Sequence, residues 1–470
     1  MSNSFKIVVF IMVVFNMVYN AFLPLHPDEA YYWVWSQNLQ LSYFDHPPMV
    51  AYFIKLFTIA GNSEIFVRLV SILCITGAGL LNYSLGKELL GAKVAGRGLL
   101  LFLFMPLTQG GYHIVTPDAP FILFWSLSLY FLHKAIFKGD TKAFYITGIM
   151  AGLMMLSKYP GVLLFPAVVL FLLLSEKYRH LLFKKEIYLA AVLAIVVFSP
   201  VIIWNAQHNW VSFAFQLSHG MGGPKVINWN TFGMFIAGQA GVANPIFFVA
   251  MVFYFLKNIK QNIQDEKLSF LLWPFLVPIL FFGYAALFSK SEPNWPATAY
   301  FTGTILLAYW LTAVQKRWIL ISGVVLTTVL ISITLFPQFF PWLPPKAALL
   351  ARVSGSDIAF KNATNYINAT DEIVISDSFQ NASCTWYYMP QKENVYILTP
   401  VRPSTYDFWN QNVIDKGISQ AIFIGDVGRR DELAAVFERV ELVAVVKYED
   451  RYAKKQYEVY RCYNYKGKGL

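Results

Sequence analysis

Residues 26–48, HPDEAYYWVWSQNLQLSYFDHPP, put two adjacent carboxylates, four aromatics within five positions and an Asp-His-Pro-Pro turn between two strongly apolar stretches. The stretch before it, 5–23, is about as long as a helix crossing ~30 Å of hydrocarbon. No small-residue cleavage site follows it before His26, so it reads as a retained helix and not as a signal peptide. Apolar runs of that length recur over the first three quarters of the chain. The segment 26–48 is therefore a loop beside a membrane, and its meaning depends on the side it faces.

Composition agrees. The 470 residues are 57% hydrophobic and 14% charged, with a mean hydropathy of +0.49. A soluble chain of this length would need far more charge to cover its surface. The formal charge of +10 would suit a nucleic-acid partner, but its distribution argues otherwise. Residues 1–350 hold 22 Lys/Arg against 12 Asp/Glu, whereas 351–470 hold 15 of each. The excess lies between apolar runs, where the positive-inside effect places it. The three cysteines, Cys74, Cys384 and Cys462, have no metal-ligand spacing. Cys384 and Cys462 share the C-terminal region and read as two free thiols, with a pairing left open.

About eleven spans are expected, near 5–23, 64–85, 95–111, 119–137, 143–157, 160–175, 187–204, 231–256, 268–288, 296–314 and 318–336. With a cytoplasmic N-terminus the inner loops carry 16 Lys/Arg and the outer positions before the tail only 6. An odd span number then puts everything after Phe336 outside. The proline-rich exit Phe336–Pro345 leads into a region with short β-rich runs at Ile373–Ser376, Val395–Leu398, Ala421–Ile424, Leu442–Val446 and Tyr457–Cys462. A helix is expected over Arg430–Arg439. The organisation expected is a polytopic α-helical membrane domain over 1–345, with an amphipathic first outside loop (24–63), and a small extracytoplasmic α/β domain over 346–470.

This topology sorts the polar oddities onto the outer face. Asp28, Glu29, Asp45 and His46 lie in the first outside loop, and Asp118, in Thr116-Pro-Asp-Ala-Pro120, opens the fourth span. Lys158, in Ser157-Lys-Tyr-Pro-Gly161, sits in the next outside hairpin; His208 and His219 follow span seven; Asn294 and Trp295 lie in Glu292-Pro-Asn-Trp-Pro296. A transport pathway would scatter ionisable groups at mid-bilayer depth. Each residue also has a plainer reading. Pro27-Asp28-Glu29 is an ordinary helix start, since acids suit the positive end of the dipole. Tyr31, Tyr32, Trp33 and Trp35 suit an interfacial belt. Asp118 could cap a helix, Lys158 could snorkel, and the two histidines could be ordinary loop residues. The Asn362-Ala-Thr, Asn368-Ala-Thr and Asn381-Ala-Ser triplets match a glycosylation pattern that is common by chance.

The ordered set (an Asp-Glu pair after the first span, Tyr43-Phe44-Asp45-His46-Pro47, Pro-Asp-Ala-Pro, Lys-Tyr, Pro-Asn-Trp-Pro) resembles the GT-C membrane glycosyltransferases. It is similar in particular to the dolichyl-phosphate-mannose–protein mannosyltransferase-like enzymes of bacterial envelopes, akin to lipid A aminoarabinose transferases. The resemblance covers essentially the whole chain. It implies a polyprenyl-phosphate (undecaprenyl-phosphate) sugar donor and an envelope acceptor: lipid A, another glycan or a protein. It also implies a multi-pass protein of the bacterial inner membrane with its active site on the periplasmic side. The family's first-loop catalytic Asp falls on Asp28, with Glu29 supporting it, and its Pro-Asp acid on Asp118. Its later basic residue falls on Lys158. Where the aminoarabinose transferases have Glu-Lys-Pro, with the acid near a metal and the lysine near donor phosphate, this chain has Asp45-His46-Pro47. His46 is thus a candidate for the missing cation, and Asp45 with His208 or His219 is a partial site for a divalent metal, short of the usual ligand number.

The chemistry expected is displacement at an anomeric carbon, with oxocarbenium character there and negative charge returning to the departing phosphate. A carboxylate, Asp28, can serve as general base for an acceptor hydroxyl or stabilise the positive centre. Lys158, with Arg68 or His46, would neutralise the phosphate. Tyr31, Tyr32, Tyr159, Asn294 and Trp295 would contact substrate. One-step displacement would invert the anomeric centre. The alternative is a polyprenyl-linked glycan flippase, which would need charges at mid-bilayer depth.

Overall fold

A computed structural model describes residues 1–221, 226–342, 353–367, 373–389, 395–397, 402–409 and 418–467, with the side chains of 219–221 left aside. Helices come first along the chain: α1 (Asn3–Ala21), α2 (Pro27–Gln37), α3 (Met49–Thr58), α4 (Glu64–Leu90), α5 (Ala92–Leu103), α6 (Pro106–Gly111), α7 (Asp118–Phe137) and α8 (Thr141–Met155). A 3-10 turn (Tyr159–Leu163) leads into α9 (Leu164–Leu174), followed by α10 (Lys185–Gln207), α11 (Val211–Met221), α12 (Trp229–Ala243), α13 (Pro245–Gln264), α14 (Glu266–Ala286), α15 (Ala299–Ala313) and α16 (Arg317–Leu335). The chain divides into two compact units: Met1–Val18, Leu41–Val50 and Arg68–Ile331 form one, and Tyr19–Gln40, Ala51–Val67 and Ser332–Leu470 the other.

Among the described residues six helices are long and apolar enough to cross a membrane (α1, α4, α7, α10, α14 and α16), or seven with a bent pair counted as one span. The expected spans 143–157, 160–175 and 296–314 fall on shorter helices, and two others are broken at identifiable residues. Pro106, which has no N–H to donate, splits the run 95–111 between α5 and α6. The run 231–256 is not one straight span: α12 and α13 meet at 110°. Asn244 makes that corner with φ 77° and is followed by Pro245. Its side chain accepts from Ile246 N–H at 2.9 Å and donates to the Gly323 carbonyl and to Thr327 Oγ1, each at 2.8 Å. A buried amide with these bonds fixes the corner instead of straining it.

Within the helical unit, α8 crosses α10 closely because Gly148 and Gly152 lie one turn apart at the contact. A Cβ on Gly148 would sit 2.3 Å from the Ala190 carbonyl oxygen, and one on Gly152 would sit 2.5 Å from Val197 Cβ. This small-xxx-small pattern lets backbones approach where no hydrophobic force draws helices together.

The other unit contains a five-stranded sheet, β1 (Ile373–Ser376), β2 (Val395–Ile397), β3 (Gln420–Asp426), β4 (Phe437–Glu449) and β5 (Lys454–Tyr465), in the order β2-β1-β3-β5-β4. β1 runs parallel to β2 and β3, while β5 runs antiparallel to both β3 and β4. Helices α17 (Ser356–Thr364), α18 (Phe379–Tyr388), α19 (Tyr406–Trp409) and α20 (Arg430–Val436) accompany it. The strands lie where the β-rich runs predict them, but the helix expected over Arg430–Arg439 stops at Val436. Phe437 is fully buried with Tyr460 and Cys462, so packing and the long β4–β5 ladder win over helical propensity from that residue on. Both cysteines of this region are free and buried, and burial pushes the thiols of Cys384 and Cys462 up to about 12.

Candidate active site

In the helical unit three loops meet on one carboxylate. Asp118 is the first residue of α7, where the helix dipole favours negative charge. Lys158 precedes the 3-10 turn and points its Nζ at Asp118 Oδ1, 2.7 Å away. Asn294 Nδ2 donates to Asp118 Oδ2 at 3.0 Å, and the Thr116 hydroxyl donates to the same oxygen at 3.3 Å. The Lys158 side chain is only 8% exposed against 22% for Asp118, so the ammonium is the more deeply withdrawn partner. Sequence separations of 40 and 176 residues close on this point. A withdrawn ammonium on a carboxylate with further donors is a pre-positioned cation, with N–H bonds left for a second anion.

The supports of this cluster are polar residues inside apolar helices, and sequence reasoning passed over them. Gln239, in α12, donates to the Pro293 carbonyl at 3.0 Å and accepts from the Tyr300 hydroxyl at 2.8 Å, which clamps the Pro-Asn-Trp-Pro loop. Gly238 lies under Pro293, where an added Cβ would sit 2.8 Å from its ring. Trp295 packs its ring on Phe282 at 5.6 Å. The Tyr159 hydroxyl sits 2.7 Å from Ser212 Oγ, tying the lysine's turn to α11. Gln216 of α11 in turn donates to the Asp45 carbonyl. Phe44 and Phe215 pack at 4.6 Å beside that bond. The signal available was the lone glutamine in each helix, since an unpaired amide there would be costly.

Asp45 and Arg68 are buried, and neither is free of partners. His113, absent from the sequence-based candidates, is also buried. Burial and the nearby Arg68 charge hold its imidazole neutral, down at about 3. His46 is half-buried in a turn where Tyr43 N–H donates to its carbonyl at 3.3 Å. His208 stacks on Trp204 at 4.0 Å with Nδ1 2.7 Å from the Trp204 carbonyl. The His219 side chain lies outside the described residues, as does Asn368. Among the described residues no group of three or more His, Cys, Asp or Glu could hold a metal ion.

The other unit carries Asp28 and Glu29. Here α2 starts with His26 as its cap: Asp28 N–H donates to His26 Nδ1 at 3.3 Å, and Glu29 Oε2 accepts from His26 N–H at 2.8 Å. This is a reciprocal capping box with a histidine in the hydroxyl's usual place. Glu29 is wholly buried, while the Asp28 side chain is 43% exposed. The adjacent acids thus divide into one that builds the helix start and one that remains available. The aromatic face of α2 packs inside its own unit. Tyr31, Tyr32, Trp33 and Trp35 are buried, with Tyr31 4.5 Å from Phe379 and Trp33 edge-on to Tyr387 at 5.0 Å. The Tyr31 hydroxyl accepts from Thr405 N–H at 2.8 Å. Eight of the eleven residues of α2 are buried, more than a two-sided interfacial helix would show.

The helical bundle and the small sheet-containing unit have the GT-C fold of membrane glycosyltransferases, and the comparisons support a glycosyltransferase. Residues 45–204 match the family model described as dolichyl-phosphate-mannose-protein mannosyltransferase. The chain is 28% identical over 366 residues, 75% of each chain, to the lipid A galacturonosyltransferase RgtD of Rhizobium johnstonii. Among solved structures it is similar to ArnT from Cupriavidus metallidurans bound to undecaprenyl phosphate, with a TM-score of 0.68 at 15% identity over 98% of both chains. It is also similar to the oligosaccharyltransferase of Archaeoglobus fulgidus, with a TM-score of 0.54 at 10% identity over 92% of this chain and 70% of that one. The GT-C fold expected from the motifs is the fold found.

Proposed function

We propose that the protein moves a sugar from a polyprenyl-phosphate donor to lipid A, or to another envelope glycan, on the outer face of the bacterial inner membrane. The N-terminus is cytoplasmic in this reading, and the loops bearing Asp28, Asp45, Asp118, Lys158 and Asn294 face out. An acceptor oxygen attacks the anomeric carbon, the bond from that carbon to the phosphate oxygen breaks, and the polyprenyl phosphate leaves with the electron pair. The anomeric centre inverts. Lys158 neutralises the departing phosphate, and Asp118 is the positioning residue that holds its ammonium. Asn294 and Thr116 keep the Asp118 carboxylate turned toward the lysine. Asp28, exposed at the start of α2, takes the proton of an acceptor hydroxyl, while Glu29 holds the helix start that presents it.

The observation that carries this reading is the Asp118–Lys158–Asn294 cluster, in which a cation is withdrawn, oriented and supported from three loops. The similarity to a lipid A galacturonosyltransferase and to an ArnT structure holding undecaprenyl phosphate supports the choice of donor and acceptor. Mass spectrometry of envelope lipids from cells with and without the gene tests it. Loss of one hexose, hexuronic acid or pentose from lipid A or a core glycan is the expected result. Unchanged envelope glycans, together with no transfer or hydrolysis of a labelled undecaprenyl-phosphate sugar by the purified protein, would refute it.

A further inference from the structure

On the helical unit an open groove of about 800 Å³ runs between α13, α15 and α16, and neither Asp118, Lys158 nor Asn294 lines it. Its wall on α13 is a stripe at four-residue spacing, Val249, Phe253 and Lys257, which places the three on one helix face. Val249 is 66% exposed and Trp318, on the opposite wall, 62%. The groove begins at Pro245, where Asn244 bonds α13 to α16, and it reaches Lys257 after roughly 18 Å at ~1.5 Å per residue. That is close to the thickness of one leaflet of a ~30 Å hydrocarbon core.

The far end is cationic. Lys257 and Lys316 both line the groove, and Arg317 follows in sequence. The Lys257 ammonium lies 4.4 Å from the centre of the Phe253 ring, folded back along the apolar wall. None of these three cations has a carboxylate partner among the described residues. An apolar trough one leaflet long, ending in two uncompensated ammonium groups, complements one kind of molecule: a lipid with acyl chains and a negatively charged headgroup. Lysines 257 and 316 belong to the loops that charge asymmetry places on the inner side, the side on which anionic headgroups draw basic residues.

We propose that this groove binds an anionic glycerophospholipid of the inner leaflet, its acyl chain along Val249 and Phe253 and its phosphate between Lys257 and Lys316. Its lining shares no residue with the Asp118–Lys158–Asn294 cluster, and the proposal does not depend on which sugar is transferred.

Native mass spectrometry of the detergent-purified full-length protein tests this, with phosphatidylglycerol and phosphatidylcholine added in parallel. Phosphatidylglycerol should be retained at least tenfold more strongly, and the double variant Lys257→Gln/Lys316→Gln should remove that preference. Val249→Trp fills the trough while keeping both lysines, and it should weaken retention of phosphatidylglycerol as well. It also carries the test should the double variant not fold. Equal retention of the two lipids, retention unaffected by both variants, or displacement of phosphatidylglycerol by equimolar undecaprenyl phosphate would overturn the proposal. Transfer activity is not the readout, so failure here leaves the proposed reaction standing, and the reverse.

Discussion

Lys158 gains its proposed role from its carboxylate partner, and that coupling can be measured. Lys158→Met is expected to lower transfer on the order of 100-fold, as loss of one transition-state charge contact does elsewhere. Asp118→Asn keeps a side chain that can hold Asn294 and Thr116, and it should cost less in rate. Because removing one partner leaves the other charge poorly compensated, each single variant should lower thermal stability more than the double variant does. A double-mutant cycle on unfolding should show a coupling above about 1 kcal/mol. Additive single effects would mean that the 2.7 Å contact carries no energy. Asp28→Asn should cut transfer to a hydroxyl acceptor by about 10²–10⁴-fold with the protein folded, as loss of a general base does. A fully active Asp28→Asn enzyme would remove the base assignment. Glu29→Gln is expected to act on stability instead, through the capping box at His26. Asp118 and Lys158 stand out in the sequence because charge inside an apolar chain is conspicuous, and Asn294 because prolines flank its Asn-Trp pair; the structure brings these three together. Gln239, Gln216 and Ser212 do not stand out, because a single neutral polar residue carries no sign of what lies opposite it.

Among the elements, the crossing of α8 and α10 rests on Gly148, where any side chain meets backbone and not a movable side-chain tip. Gly148→Leu should therefore lower stability by at least 1–3 kcal/mol, the usual range for overpacking, and reduce recovery of folded protein. Thermal unfolding in detergent checks this, and an unchanged midpoint would show that the helices can separate at no cost. Helix existence could be read from apolar runs, but helix continuity could not. The run 231–256 looks like one span by hydropathy, and the 110° corner at Asn244 depends on Gly323 and Thr327, some 80 residues away. In the same way Arg430–Arg439 looks helical until Phe437 finds its place beside Tyr460 and Cys462. Local pattern shows what a segment can become, and distant partners decide where it stops.

For the molecule as a whole, the distribution of lysine and arginine predicts sidedness. A membrane-impermeant maleimide should label Lys290→Cys in intact spheroplasts and Lys142→Cys only after permeabilisation, both positions being exposed while the native cysteines are buried. Labelling in the reverse order would invert the proposed topology. The compact units could not be read along the chain, because one of them joins 19–40 and 51–67 to residues beyond 331. That arrangement bears on synthesis. Tyr31 receives its hydrogen bond from a residue 374 positions later. At translation rates of about 5–20 residues per second, the ribosome needs roughly 20–75 s to reach it. Through that interval the nascent first loop lacks the late residues that cover its aromatic side. A chain halted by a stop codon after residue 342 never receives its cover. Its rapid degradation from Tyr31–Trp35 outward, with the helical unit outlasting the loop, is the expected outcome in a pulse-chase experiment.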